Sequence, residues 1–185
     1  SGITPLGGRT AYISSGIPLI RSQNVHLNRF ELSGLAFITS EQDEIMRGTR
    51  VYAGDVLLNI TGASIGRVCV APSEICPANV NQHVSIIRCN DSIVSEFLSF
   101  YISNPDFQKH IMDFQAGATR QALTKTLIED FLIPLPSISE QKKIIKQLLE
   151  KMKEAEISMK ALEGQLTTIS KLPAALLRRA FNGEL

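Results

Sequence analysis

The chain has 185 residues, 44% of them hydrophobic and 20% charged, which fits a folded domain and argues against disorder. No apolar run reaches the roughly 18 residues of a membrane span, and the N-terminus lacks the charged-then-apolar order of a signal segment, so the expected location is the cytoplasm. A formal net charge of +1 announces no nucleic-acid partner, and any basic face must be assembled in space.

Short β-like runs fill the first region. Gly16-Ile17-Pro18-Leu19-Ile20-Arg21 predicts a strand entering the polar loop Ser22-Gln23-Asn24. Leu35 to Ile38 predicts another, and Thr39 with Gln42 offers a capping box for a short helix to about Arg47, closed by Gly48. Gly54-Asp55 turns into Val56-Leu57-Leu58-Asn59-Ile60, an apolar run expected as a buried strand. Arg67 to Ala71 and Gln82 to Arg88 supply two more. Residues 93–103 carry Val94, Phe97, Leu98, Tyr101 and Ile102 on one helical stripe. Asn104-Pro105 restarts a helix with a cap followed by proline at the first helical position, and this helix should end near Gly117.

The period changes after Pro134-Leu135-Pro136, dividing the chain into a domain over 1–136 and a helical arm over 137–185. Ser137 and Glu140 form a capping box. Ile138, Gln141, Ile145, Leu148, Met152, Ala155, Met159, Leu162, Leu166 and Ile169 then alternate by three and four, all apolar except Gln141. That is a coiled-coil seam. Gly164 weakens it by about 1 kcal/mol against alanine, and Pro173 is expected to end or kink the helix. An arm of about 33 residues would be roughly 50 Å long, too long to bury its seam on a domain of this size, so it needs a partner helix. The fold class is α+β: a small mixed domain with mostly antiparallel or mixed strands, then a long C-terminal helix.

Catalytic and metal motifs fail in their contexts. Gly62-Ala63-Ser64-Ile65-Gly66 has the spacing of a nucleophile elbow, but the residues after it predict a strand where the elbow needs a helix. Ser139-x-x-Lys142 lies in the first turn of the arm. Cys69, Cys76 and Cys89, even with His83, lack the paired spacing of a zinc site and are expected as reduced thiols, two of them on strands. His26, His83 and His110 have no metal spacing, and no phosphate-cradling glycine loop is present. No catalytic site and no metal are expected.

Several segments together resemble the specificity (S) subunit of type I restriction-modification systems. They are Gly16 to Arg21, Gly54 to Leu58 through Thr61 to Val68, Asn81-Gln82 to Arg88, Gly117-Ala118-Thr119-Arg120-Gln121 into Phe131 to Pro136, Glu140 to Ile144, and the ending Leu176 to Leu185. The resemblance implies a bipartite DNA reader, in which two recognition domains are held apart by two antiparallel helical arms. Modification subunits dock on the arms and methylate adenine with S-adenosylmethionine, and a restriction and translocase subunit joins for cleavage. By the same resemblance, the cofactor belongs to a partner and not to this chain. The sequence holds one recognition domain and one arm, so it is expected either as a half subunit that dimerises or as a piece of a longer chain.

Three polar clusters are the candidate contacts to double-stranded DNA: Arg21, Ser22, Gln23 and Asn24; Thr61, Ser64 and Arg67; Thr119, Arg120, Gln121 and Lys125. Arg, Asn and Gln suit base edges, while Ser, Thr and Lys suit phosphates. Ile145, Leu148, Met152, Ala155, Met159, Leu162, Leu166 and Ile169 are the candidate dimer interface. The competing reading is a coiled-coil adaptor that binds protein and has no role on DNA.

Overall fold

The computed structural model describes every residue except 6, 8–10, 117–121 and 185, and only the backbone at 115 and 116. Its elements, in chain order, are β1 (Ile17–Ile20), β2 (Val25–His26), β3 (Arg29–Phe30), β4 (Ala36–Ile38), α1 (Ser40–Ile45), β5 (Arg50–Val51), β6 (Val56–Asn59), β7 (Val68–Val70), β8 (Ala78–Val80), β9 (Val84–Ile87), α2 (Ser95–Ser103), α3 (Pro105–Ala116), α4 (Lys125–Glu129) and α5 (Ile138–Phe181). The strands form a four-stranded sheet in the order β4-β1-β8-β5, a three-stranded sheet β7-β6-β9 and the hairpin β2-β3. All pairings are antiparallel except β1 with β8, where Leu19 lies opposite Asn79 and Ile20 opposite Val80. The fold is α+β.

Strand β6 is buried along its whole length because both of its faces are covered. Leu57 points into a cluster with Ile20, Val25, Val51, Val80 and Val84. Val56 and Leu58 point the other way, into a cluster with Val68, Leu98, Ile102 and Ile111. That explains the unbroken apolar run, since a half-exposed strand would alternate. Helix α2 supplies Phe97, Leu98, Ser99 and Ile102 to the interior. At the junction with α3, the Asn104 side chain accepts from the Asp106 N–H at 2.8 Å, and Pro105 follows it as the first helical residue.

The α1 capping box is present: the Gln42 N–H donates to Thr39 Oγ1 and the Thr39 N–H to Gln42 Oε1, both at 3.2 Å. The helix stops at Ile45, short of the expected Arg47, and a 3-10 turn over Arg47–Thr49 leads into β5. Strands β2, β3, β5 and β8 and helix α4 have no counterpart in the sequence reading. They are two to five residues long, too short for a hydrophobic period to register. Of the cysteines, only Cys69 lies on a strand, β7, where burial pushes its thiol up to about 12. Cys76 and Cys89 are half-buried on connecting segments, and burial raises both.

The chain divides into two units, Ser1–Lys142 and Lys143–Leu185. The first turn of α5 belongs to the first unit, and Gln141 shows why. It is fully buried; its Oε1 accepts from the Val94 N–H at 2.8 Å, and its Nε2 donates to Ser92 O at 2.9 Å and Pro136 O at 2.8 Å. The one polar residue in the expected seam is thus a bracket between the helix start and the segment before α2.

The second unit is the rest of α5 and its cap. Along it Leu148, Met152, Met159, Leu162, Leu166 and Ile169 are exposed, from 39% at Leu148 to 68% at Leu166. Ion pairs such as Lys160 with Glu156 (2.7 Å) and Lys151 with Glu154 (2.8 Å) occupy other positions. Of the end or kink expected at Pro173, the end does not occur: α5 runs through it to Phe181, at 44 residues about 66 Å long. Strong helix formers at Leu172, Ala174, Ala175, Leu176 and Leu177 offset the one lost hydrogen bond. It stops at Gly183, whose φ of 72° allows a Schellman cap: the Gly183 N–H donates to Ala180 O and the Glu184 N–H to Arg179 O. No helix is long and apolar enough to cross a membrane among the described residues.

Asp43 is nearly buried and ties α1 to β5 and β8. Arg50 Nε donates to its Oδ2 at 2.8 Å and Asn79 Nδ2 to its Oδ1 at 3.0 Å. Burial alone would raise its pKa, but these hydrogen bonds and the Arg50 charge outweigh it and hold the carboxyl below its ordinary value. A lowered folded pKa stabilises above the unfolded pKa, and that stability is lost as pH falls through the folded value. Urea midpoints should therefore fall below about pH 4 in the parent protein and fall less steeply in Asp43→Asn. At neutral pH, Asp43→Ala should cost about 2–3 kcal/mol.

Candidate nucleic-acid interface

Three loops meet because of strand order. In neighbouring parallel strands the C-terminal ends lie side by side, so the segments leaving β1 (from Arg21) and β8 (from Asn81) emerge together. Antiparallel pairing of β6 with β9 sets Asn59 opposite Val84, which brings the segment after β6 to the same end. The result is an open cleft of about 410 Å³ lined by Ser22, Gln23, Thr61, Gly62, Ala63, Ser64, Arg67 and His83.

The Gly62–Ser64 segment is a 3-10 turn between β6 and β7. Gly62 and Gly66, at φ 71° and 82°, let the chain reverse there. Strand follows the turn, so Ser64 lacks the strand–turn–helix setting of a nucleophile elbow. Beneath the turn, Asn59 is fully buried and donates from Nδ2 to Ser22 O at 2.8 Å and Val25 O at 3.3 Å, leaving its Oδ1 without a protein partner. Its own carbonyl accepts from the Gly66 N–H. One residue thus fastens the first loop through its side chain and the second through its backbone carbonyl.

Among the described residues the walls of the cleft carry hydroxyls, a carboxamide, an imidazole and a guanidinium, and no carboxylate. Arg29, Arg47, Arg50 and Arg88 are each bound to acidic partners. Arg88 forks onto Asp55 at 2.7 and 2.8 Å, which holds the guanidinium above its ordinary pKa. Arg67 is half-buried and is the one arginine of the first unit with no hydrogen bond or ion pair from its side chain among the described residues. On the same wall His83 Nδ1 lies 2.6 Å from Thr61 Oγ1.

A family model described as "Type I restriction modification DNA specificity domain" matches residues 13–165. The chain belongs to this family. Among curated relatives, the type I restriction enzyme EcoBI specificity subunit of Escherichia coli is 30% identical over 176 residues, 94% of this chain and 36% of the relative. The EcoKI specificity subunit of Escherichia coli (strain K12) is 24% identical over 172 residues, 91% of this chain and 36% of the relative. The chain thus spans little more than a third of the relatives' length. The crystal structure of the HsdS subunit from Thermoanaerobacter tengcongensis shares the fold, with a TM-score of 0.67 at 20% identity over all of this chain and 42% of that one. So does a chain from a structure titled for complex assembly and conformational transition of the type I R-M system, with a TM-score of 0.76 at 21% identity over all of this chain and 43% of that one.

In this specificity domain the residues named from sequence separate into groups. Ser22, Gln23, Thr61, Ser64 and Arg67 converge on the cleft. Asn24 must be withdrawn as a DNA contact: it is fully buried, and its side chain is committed to the Arg21 N–H and to the carbonyls of Glu31 and Ser33. Arg21 turns away, donating to Gly34 O at 2.5 Å and stacking 5.3 Å from the Tyr12 ring. Lys125 is exposed at the start of α4, paired with Glu129 at 3.5 Å, and does not line the cleft. Thr119, Arg120 and Gln121, with the expected helix end at Gly117, lie outside the described residues; just beyond them Ala122 bridges to Thr61. His83 was missed as a cleft residue. The signal was the polar run Asn81-Gln82-His83 before a strand, the mirror of Ser22-Gln23-Asn24 after one.

Asn59→Ala should lower stability by about 1–3 kcal/mol in urea melts, because it strands buried carbonyls. Gln23→Ala, an exposed change, should stay within about 0.5 kcal/mol.

Proposed function

We propose that the chain is a non-catalytic DNA-specificity module whose domain reads one half of a bipartite target and whose arm sets the distance to the other half. The observation that supports it most is the convergence of Ser22, Gln23, Thr61, Ser64 and Arg67 in one open cleft where, among the described residues, Arg67 is unpaired and no carboxylate lines the wall. Such a wall suits the electronegative surface of a duplex. The partner subunits would carry the chemistry: a methyltransferase using S-adenosylmethionine, and a restriction and translocase subunit. Seam residues Ile145, Leu148, Met152, Ala155, Met159, Leu162, Leu166 and Ile169 would pair with a second copy, or with the matching arm of a longer chain, in antiparallel fashion.

Each correctly read base pair contributes roughly 1–3 kcal/mol of discrimination, too little for one small domain to specify a site in a genome. Joining two domains makes the second binding event intramolecular.

Fluorescence anisotropy with defined duplexes tests the cleft. Binding should weaken steeply with salt, and Gln23→Ala should relax preference at one base position by about 1–3 kcal/mol. Absence of binding to any duplex at low salt would favour a protein-binding adaptor instead.

Light scattering tests the arm. The parent should be dimeric, and Leu162→Lys, which places a charge in the seam, should shift it to monomer. A seven-residue insertion keeps the heptad phase and adds about 10.5 Å. It should lengthen the spacer between half-sites by about three base pairs, scored by selection of bound duplexes. An unchanged spacer would exclude the ruler.

A further inference from the structure

Thr61 stands at the end of a polar chain. The Thr4 hydroxyl donates to Gln82 Oε1, Gln82 Nε2 lies 3.0 Å from His83 Nε2, and His83 Nδ1 lies 2.6 Å from Thr61 Oγ1. An amide nitrogen only donates, so His83 Nε2 accepts and carries no proton. The neutral ring then bears its hydrogen on Nδ1, which donates to Thr61 Oγ1. The Thr61 hydroxyl hydrogen is left over and free for the cleft. Nothing in the local sequence would give a threonine that polarity; the orientation of the Gln82 carboxamide decides it.

The rest of the cleft wall agrees with a donor in this place. Among the described residues Arg67 has no partner and no carboxylate lines the cleft, while Ser22 and Ser64 add hydroxyls. A base edge presents a mixture of donors and acceptors, whereas a phosphodiester presents acceptors alone with a negative charge. The Arg67 guanidinium with the Thr61 and Ser64 hydroxyls on one stretch of wall fits the second, while the Gln23 carboxamide, which both donates and accepts, stays available for a base edge.

We propose that this cleft seats a phosphodiester group, held by Arg67 and by a Thr61 hydroxyl that the Thr4–Gln82–His83 chain turns into a donor. The assignment rests on the cleft being the DNA face of the domain, and the tests keep the two apart. In the free protein, long-range nitrogen–proton NMR should find His83 as the Nδ1–H tautomer, with that preference lost in Gln82→Leu. An Nε2–H tautomer would overturn the polarity assigned to Thr61.

On DNA, Thr61→Val should weaken binding about tenfold, the size of one charge-assisted hydrogen bond, and Thr61→Ser should restore it. Duplexes with a single neutral methylphosphonate linkage, walked along the backbone, should include one position where neutralisation weakens the parent protein but adds nothing to Thr61→Val. If the two losses add at every linkage, the phosphate seat is overturned while DNA binding stands. If no duplex binds the parent protein, both fail.

Discussion

The Asn59 carboxamide is the joint on which the cleft depends. It is an uncharged polar group in a strand with apolar residues on both faces, and burying an amide without partners costs several kcal/mol. That cost makes its two donor bonds to Ser22 O and Val25 O obligatory, and they are directional. A loop that would otherwise sample many conformations is drawn onto the end of β6, beside the turn that carries Thr61, Ser64 and Arg67. The cleft side chains are then not needed to hold the backbone, because buried groups hold it.

Strand order does the rest. The cleft lies at the C-terminal ends of adjacent parallel strands, where the two departing segments leave side by side. Here one parallel pair, β1 with β8, suffices. The remaining antiparallel pairs serve the core. Charge is distributed in the same spirit: Asp43, Glu44 and Asp55 neutralise Arg50 and Arg88 away from the cleft, so a domain with little net charge still presents the Arg67 guanidinium, unpaired among the described residues, where the loops meet.

The arm works by a separate physics. Its apolar side chains recur at heptad spacing and lie open to solvent, while Gln141, at the start of that spacing, is spent inside the first unit on three hydrogen bonds. Periodicity alone assigns Gln141 to the seam; its burial and three hydrogen bonds place its side chain inside the first unit instead.

Much of this was legible in the residues. The apolar run of β6, the stripe of α2, the two capping boxes, the Asn104-Pro105 restart and the heptad arm are local patterns, and local patterns survive in a one-dimensional string. So did the gathering of candidate polar residues into short runs beside strands. What the string could not hold were facts about pairs distant along the chain: that β1 lies parallel to β8, that Asn24 faces inward while Gln23 beside it faces out, that Arg21 is spent on Gly34 while Arg67 lines the cleft, and that His83 belongs there too. Helix continuation through Pro173 is intermediate, a contest between one local penalty and the summed propensity of its neighbours. Periodicity and capping are energies of residues a few positions apart. Which polar group is buried, paired or left free depends on packing between segments far apart in sequence, and only the folded chain brings those together.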